Sequence, residues 1–296
     1  MENRSENLLK FVNKNDKGLE IGPYINPIAS KSDGYDIKIL DVFSADELRT
    51  RASKDPNLSE FDANRIEEVD FVKSASEIGT LSGLENNFDY ILSSHNLEHI
   101  PNPILFLQGC SKILKTAGNL TLALPDFRCC WDRFRPLTCT ADWLEAFFEK
   151  RRKPSAKQIF MQNSMHCRWY NENEVFPTMP LNTPVSELKS LGTLAAAYKN
   201  YASNSEKEEE MPYIDTHCWT LTPSSFKLLI SDLRFLRVLD LKIKEISKTL
   251  SSEFIVHLQK NKIEKSEINS FEECRIQSMR EIAAFYPDQL TETVEF

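Results

Sequence analysis

The residues most able to do chemistry lie in a few short stretches. His95-Asn96-Leu97-Glu98-His99 sets two imidazoles and a carboxylate close together. On a helix, histidines four apart face the same way and could ligate zinc. The flanking pattern predicts no helix here. His95 directly follows the apolar run Phe88–Ser94, which reads as a strand, and Pro101 and Pro103 would cut a helix short. Zinc would also need a third protein ligand, and although Glu145 has the right chemistry, nothing singles it out. No metal is therefore expected, and Glu98 and His99 are read as structural residues of a first turn.

A second stretch, Asp215-Thr216-His217-Cys218-Trp219, sets an imidazole beside an acid, the pairing a general base uses. Three acids, Glu20, Asp41 and Asp126, stand at or near the ends of apolar runs. The seven cysteines include no C-x-x-C pair, and the neighbours Cys129 and Cys130 are poorly placed to bond each other. They are expected to be reduced, inert thiols. Arg128, Arg133 and Arg135 could grip an acidic sugar or a phosphate, or serve a neighbouring carboxylate.

These residues need a scaffold, and the apolar pattern supplies one. Leu19–Ile21 is a short strand running into Gly22-Pro23. Tyr35–Val42 is a strand with Asp41 near its far end. Ala45–Ser53 is a helix capped by Ser44, and Val69–Val72 is a short strand. Phe88–Ser94 is a buried strand, Ile104–Leu114 a helix, and Asn119–Pro125 another strand. Strands alternating with helices predict βαβ units and a parallel sheet. From Phe127 to Thr216 the rhythm lapses into an aromatic-rich segment. Thr140–Glu149 reads as an amphipathic helix there, and Ser203–Glu210 as a charged mobile loop. Thr222-Pro223 then opens a helix through Leu233. Val238–Ile246 and Glu253–Leu258 read as strands, and the tail from Ser270 to Ala284 as a helix.

The chain has 296 residues, 41% hydrophobic and 27% charged, the balance of a globular protein. No apolar run is long enough to span a membrane, and Met1–Lys10 lacks the order of a signal peptide. A cytoplasmic location is expected. The net charge of -8 would repel a polyanion, and the one clear basic run, Lys150–Lys153, is short enough to be a solvated helix end. Nucleic acid is not expected as a partner.

The motifs together resemble a class I S-adenosylmethionine-dependent methyltransferase. GLEIGPYINP from Gly18 resembles the first motif of that family, and YDIKILDVFS from Tyr35 resembles its second strand with the terminal acid. FDYILSSHNLEHIPNP from Phe88 resembles the fourth-strand motif, and LKTAGNLTLALPD from Leu114 the turn and fifth strand. The resemblance covers about 18–126 and resumes at about 215–260. More narrowly, ASKSDGY, IEEVDFV, LPDFRCCWDRFRPLT and DTHCWTLTPSSF resemble a bacterial branch associated with surface-polysaccharide genes.

The first motif departs from the family's glycine-rich form: only Gly22 remains, with Tyr24 and Asn26 at later positions. A dinucleotide's pyrophosphate needs the tighter glycine turn. S-adenosylmethionine carries no phosphate and needs room for its amino-acid end, which Gly22 and the turn at Pro23 could give. The resemblance implies that Glu20 helps bind the methionine end and that Asp41 accepts the ribose hydroxyls. It places Ser74 and Ala75 near the adenine and Ser94 at the cofactor edge of the sheet. For proton removal from an acceptor hydroxyl, His217 is the first choice, oriented by Asp215 or another acid, with His95 and Asp126 next. His166 belongs to the same acceptor-side segment. Trp131, Trp169 and Trp219 are candidate platforms for a sugar ring.

The expected architecture is an α/β fold: a doubly wound, mostly parallel seven-stranded sheet, Rossmann-like, with its last strand antiparallel and a helical cap insertion. The cofactor half occupies 1–126, the cap and acceptor-binding insertion 127–216, the rest of the core 217–260 and a helical tail 261–296. The expected function is methyl transfer from S-adenosyl-L-methionine to a sugar hydroxyl of a surface glycan or its precursor. The alternatives are a small-metabolite methyltransferase and a catalytically silent partner of another biosynthetic enzyme. The expected partners are a glycan or small-molecule acceptor and glycan-assembly enzymes.

Overall fold

The structure, a computed structural model, describes residues 3–171, 174–205 and 212–285. Its frame is a sheet of β1 (Gly18–Ile21), β2 (Ile37–Asp41), β3 (Phe71–Val72), β4 (Phe88–Ser94), β5 (Leu114–Pro125), β9 (Leu241–Ile246) and β10 (Glu253–Lys260). The seven strands run in the order β3-β2-β1-β4-β5-β10-β9. The pairs from β3 to β5 are parallel, and β10 is antiparallel to both of its neighbours. This is the doubly wound, Rossmann-like fold expected of the sequence. The order reverses between β1 and β4, so a crevice opens beyond their carboxyl ends.

Local chemistry explains most of the boundaries. Ser44 and Glu47 form a capping box at the start of α2 (Ala45–Ala52). Thr222 does the same with Ser225 for α8 (Pro223–Phe235), where Pro223 takes the first helical position. The helix α4 (Pro103–Ile113) starts at an Asn102 cap and passes straight into β5. The expected turn at Lys115–Gly118 is instead a bulge within that strand. Phe88 pairs with Leu114 and Tyr90 with Asn119, so the residues between are out of register.

The core lies between the sheet and α4, α5 (Thr140–Phe148) and α8. Leu107, Ile113, Leu122, Trp143, Phe226 and Phe254 are fully buried together. Trp143 and Phe226 meet edge to face at 6.2 Å, a geometry that adds about 0.5–1.5 kcal/mol to their burial. The long helix α9 (Lys265–Phe285) starts five residues before the expected tail helix and packs on α8, with Phe235 stacked on Phe271 at 4.0 Å.

The stretch from 127 to 216 is not purely helical, which corrects the expected helical cap. Besides α5 it holds α6 (Ala156–Met165) and α7 (Leu194–Ser205). It also holds a small antiparallel sheet of β6 (Cys167–Asn171), β7 (Glu174–Phe176) and β8 (Leu188–Ser190). Strands this short leave almost no period in the sequence. The expected loop at Ser203–Glu210 begins inside α7, and its remainder lies outside the described residues. Two helices fell where no element was expected: α1 (Arg4–Leu8) and α3 (Glu60–Asn64). Among the described residues no helix is long and apolar enough to cross a membrane.

Candidate active site

At the end of β1 the chain turns sharply. Gly22 has φ +59, and a Cβ there would stand 2.7 Å from Asn96 Oδ1. Both facts demand glycine. Asn96 is the staple of this corner: its Nδ2 donates to the carbonyls of Ile21 at 2.9 Å and Ser94 at 3.0 Å, tying the end of β1 to the end of β4. The crevice so formed has a volume of about 470 Å³, and Glu20, Gly22, Pro23, Asn26, Ser94 and His95 line it together with Arg4. Four of the expected cofactor residues, Glu20, Gly22, Pro23 and Ser94, therefore share one cavity.

Glu20 is buried, and its two oxygens accept from the backbone N–H of Ile28 at 2.7 Å and Ala29 at 3.2 Å. The carboxylate thus shapes the loop that follows β1. Burial outweighs these hydrogen bonds and raises its pKa to about 7. Asp41 ends β2 beside the end of β1, accepting from Phe43 N at 3.1 Å. Burial raises its pKa as well. Ser74 precedes the helical turn Ala75–Thr80 just beyond β3, without a side-chain cap, and lines a different depression, one shared with Phe147, Phe148 and Lys150; Ala75 packs against the core. Neither lines the Glu20 crevice.

A wall of the crevice comes from α1. Arg4 Nε donates to Glu253 Oε1 at 2.6 Å, and its Nη2 donates to Ser94 Oγ at 2.9 Å. His95 Nε2 lies 2.7 Å from Glu253 Oε2, and its Nδ1 lies 3.4 Å from Glu98 Oε1. The ring is aimed by a left-handed backbone, φ 53, unusual for a non-glycine residue. Burial disfavours the charged ring, but the hydrogen bond to Glu253 and the nearby negative charge of Glu98 prevail and raise its pKa to about 9.

Beyond His95 lies a second polar cluster. The segment carrying His217 is stapled to the turn after β4: Cys218 N donates to Glu98 O at 2.6 Å, and Trp219 Nε1 donates to Ile100 O at 2.7 Å. His217 Nδ1 meets Asp132 Oδ2 at 2.5 Å, and Arg135 Nη1 donates to Asp132 Oδ1 at 2.7 Å. Asp132 is buried, which would raise its pKa, yet His217 and Arg135 hold it below the usual carboxylate range. Asp215 pairs with His99, whose Nδ1 lies 2.9 Å from Asp215 Oδ1. The acid that orients His217 is therefore Asp132, while the nearer acid in sequence serves another histidine. Trp131 stands 5.0 Å from the His217 ring, ring centre to ring centre, and stacks with His166 at 5.9 Å.

Asp126 is fully buried and turned inward. Arg128 donates to it through Nε at 2.9 Å and Nη2 at 2.6 Å, and Thr249 Oγ1 donates at 2.5 Å. With its lone pairs so occupied, it braces the end of β5. The other two arginines are also engaged within the chain: Arg133 with the carbonyls of Arg128, Leu181 and Thr183, and Arg135 with Asp132. Trp219 is buried in the core, whereas Trp131 sits beside His217. All seven cysteines are free, and burial pushes the Cys218 thiol up to about 12. A thiol held protonated is a poor nucleophile. Arg4, Asn96, Asp132 and Glu253 were not foreseen, because each acts through a partner far away in the chain or through backbone geometry.

No protein-family model matches the sequence, and no curated protein is similar to it. Several solved structures resemble it at low identity. A SAM-dependent methyltransferase of Methanosarcina mazei is 16% identical with a TM-score of 0.41, covering 86% of this chain and 96% of its own. A SAM-dependent methyltransferase of Aquifex aeolicus is 13% identical with a TM-score of 0.39, covering 87% and 89%. The 1,6-didemethyltoxoflavin-N1-methyltransferase of Burkholderia thailandensis, solved with its acceptor and S-adenosylhomocysteine, is 12% identical with a TM-score of 0.38, covering 87% and 76%. Likeness at this level says nothing about chemistry, which rests on the residues themselves.

Proposed function

We propose that the chain is an S-adenosylmethionine-dependent methyltransferase that methylates a hydroxyl of a small polar acceptor, with a sugar of a surface glycan or its precursor as the preferred class. The observation that carries this reading is the crevice at the β1–β4 switch point. It brings Glu20, Gly22, Pro23 and Ser94 together, with Asp41 on the adjoining strand end. Its loop keeps one glycine where a pyrophosphate site needs a tighter glycine-rich turn, which suits a cofactor without phosphate. Asp41 does not line this crevice; in this reading Glu20, when ionised, faces the ammonium of S-adenosylmethionine and Asp41, at the neighbouring strand end, takes the ribose.

Methyl transfer from a sulfonium needs an aligned nucleophile and little water. A hydroxyl acceptor also needs its proton removed as the new bond forms. The buried Asp132–His217 pair fits that role. Asp132 fixes the imidazole through Nδ1 and leaves Nε2 to meet the acceptor. His95 is held between two carboxylates, and Asp126 is locked by Arg128 and Thr249, so neither is as available. The segment 127–216, carrying Trp131 and His166 beside His217, is the acceptor-binding part in this reading. The glycan branch rests on the motif resemblance alone.

Calorimetry with S-adenosylhomocysteine tests the cofactor, and one bound molecule per chain is expected. Labelled S-adenosylmethionine offered with nucleotide sugars, oligosaccharides and small phenols then tests the acceptor, and transfer to the sugars is expected. Absence of any cofactor binding by the folded protein overturns the enzymatic reading. Binding without turnover on any acceptor class favours a silent partner, a reading supported by Glu20 spending both oxygens on its own loop.

A further inference from the structure

We propose that Glu98, His99 and His217 bind one divalent transition-metal ion of the zinc type. One ligand atom of each lies within 4.8 Å of the other two. The rings of His99 and His217 meet at 4.7 Å, nearly at right angles.

Each imidazole is oriented as a ligand would be. Nδ1 of His99 is held by Asp215 at 2.9 Å, and Nδ1 of His217 by Asp132 at 2.5 Å. Both rings are thereby left with Nε2 as the free nitrogen. A carboxylate behind the far nitrogen of a metal-bound histidine is the usual supporting arrangement; it fixes the tautomer and makes the ligand nitrogen more basic. Two histidines of one cluster both carry it here.

The third ligand is an independent sign. Glu98 is fully buried, and neither of its carboxylate oxygens has a hydrogen-bond partner. Its nearest cationic neighbours stand off: His95 Nδ1 at 3.4 Å and His99 Nε2 at 4.0 Å. The His95 ring compensates this buried carboxylate only in part, at 3.4 Å and without a hydrogen bond, and a bound cation would complete the compensation. Ligand atoms at about 2.0–2.1 Å from a tetrahedral ion lie roughly 3.4 Å apart, so loading requires shifts of about 1 Å. His99 is partly exposed and Asp215 mostly so, which gives the ion a path from solvent. Two imidazoles favour zinc-like ions over magnesium, which prefers oxygen ligands.

The metal helix suggested by the spacing of His95 and His99 is not what the chain builds. His95 turns to Glu253, and the set is completed by His217 from a distant segment. A turn suffices for this geometry. The site does not depend on the methyl-transfer reading. In the loaded protein His217 would be a ligand and could not act as a free base.

The test uses the full chain stripped with a chelator, then titrated with Co²⁺ followed by visible absorption and with Zn²⁺ followed by calorimetry. One ion per chain is expected, with a Zn²⁺ Kd of about 1 μM or tighter, d–d bands in the Co²⁺ form, and no comparable response to Mg²⁺. His99→Ala and Glu98→Gln should each weaken Zn²⁺ binding at least ~100-fold, with melting temperature reporting that the fold persists. Cys274→Ser, at an exposed thiol, should leave binding unchanged. The proposal is overturned if the folded native protein gives no cobalt bands and takes up no stoichiometric zinc. It is equally overturned if the folded Glu98→Gln chain binds zinc as well as the native one.

Discussion

His217 Nδ1 and Asp132 Oδ2 lie 2.5 Å apart in a buried pair, and Asp132 is held from its other side by Arg135. The acid is thus shared between an imidazole that could act and a guanidinium that only holds. His217→Gln should lower kcat by about 10²–10⁴ while leaving the affinity for S-adenosylhomocysteine within twofold. Asp132→Asn should lower kcat and also destabilise the fold by about 3–5 kcal/mol, because it leaves Arg135 buried opposite a neutral partner. Steady-state kinetics beside denaturant melts separate the two roles. Equal kcat for native and His217→Gln protein would remove this histidine from the reaction.

Asp41 bears on the cofactor alone. If its carboxylate accepts the ribose hydroxyls, Asp41→Ala deletes charge-assisted contacts worth roughly 1.5–3 kcal/mol. Calorimetry should then show at least a tenfold weaker affinity for S-adenosylhomocysteine. An unchanged affinity would place the ribose elsewhere.

Glu20 makes cofactor affinity depend on pH. Its pKa of about 7 in the free protein, raised by burial, leaves it substantially protonated in mildly acidic solution. The ammonium of the cofactor favours the ionised form, so binding should expel a proton. Affinity is expected to rise with pH from about 5.5 to about 7, by up to tenfold per unit, and then level off. Glu20→Gln should flatten that rise. Affinity independent of pH over the same range would mean that no cationic group of the cofactor approaches Glu20.

His257 makes fold stability, too, rise with pH, in a lower window. Its Nδ1 meets Thr121 Oγ1 at 2.9 Å and its Nε2 lies 3.3 Å from Asn7 Oδ1, all within the fold. Burial lowers its pKa from 6.5 to about 4. Between those values the unfolded chain binds the extra proton, so stability should rise with pH across that window, by at most about 1.4 kcal/mol per unit. Chemical melts of native and His257→Gln protein from pH 4 to 7 should show the slope in the first and its loss in the second.

The parts of the fold that were legible in the sequence are those written locally. Ser44 and Thr222-Pro223 announce helix starts because a cap acts within one turn. The strands at Phe88–Ser94 and Glu253–Leu258 are legible as short apolar-rich runs, and the second extends to Lys260 in the structure. Glu20, Gly22, Pro23 and Ser94 are grouped by the motif resemblance, and they meet in one crevice because the ends of β1 and β4 lie side by side. Asp132 could not be paired with His217 in this way, since 85 residues separate them and the contact depends on how the segment folds back. Arg4 was hidden because a helix of five residues has too little length to show a period. The strands Glu174–Phe176 and Leu188–Ser190 escaped for the same reason.

Arg4 and Glu253 stand 249 residues apart in the chain and yet share one side of the crevice. Damage at either place would therefore register at the same spot. Trimming the leading helix or disturbing the hairpin turn that leads into Glu253 should loosen His95 and Ser94 alike. A fusion partner or affinity tag is for that reason best kept away from the first ten residues when ligand binding is to be measured.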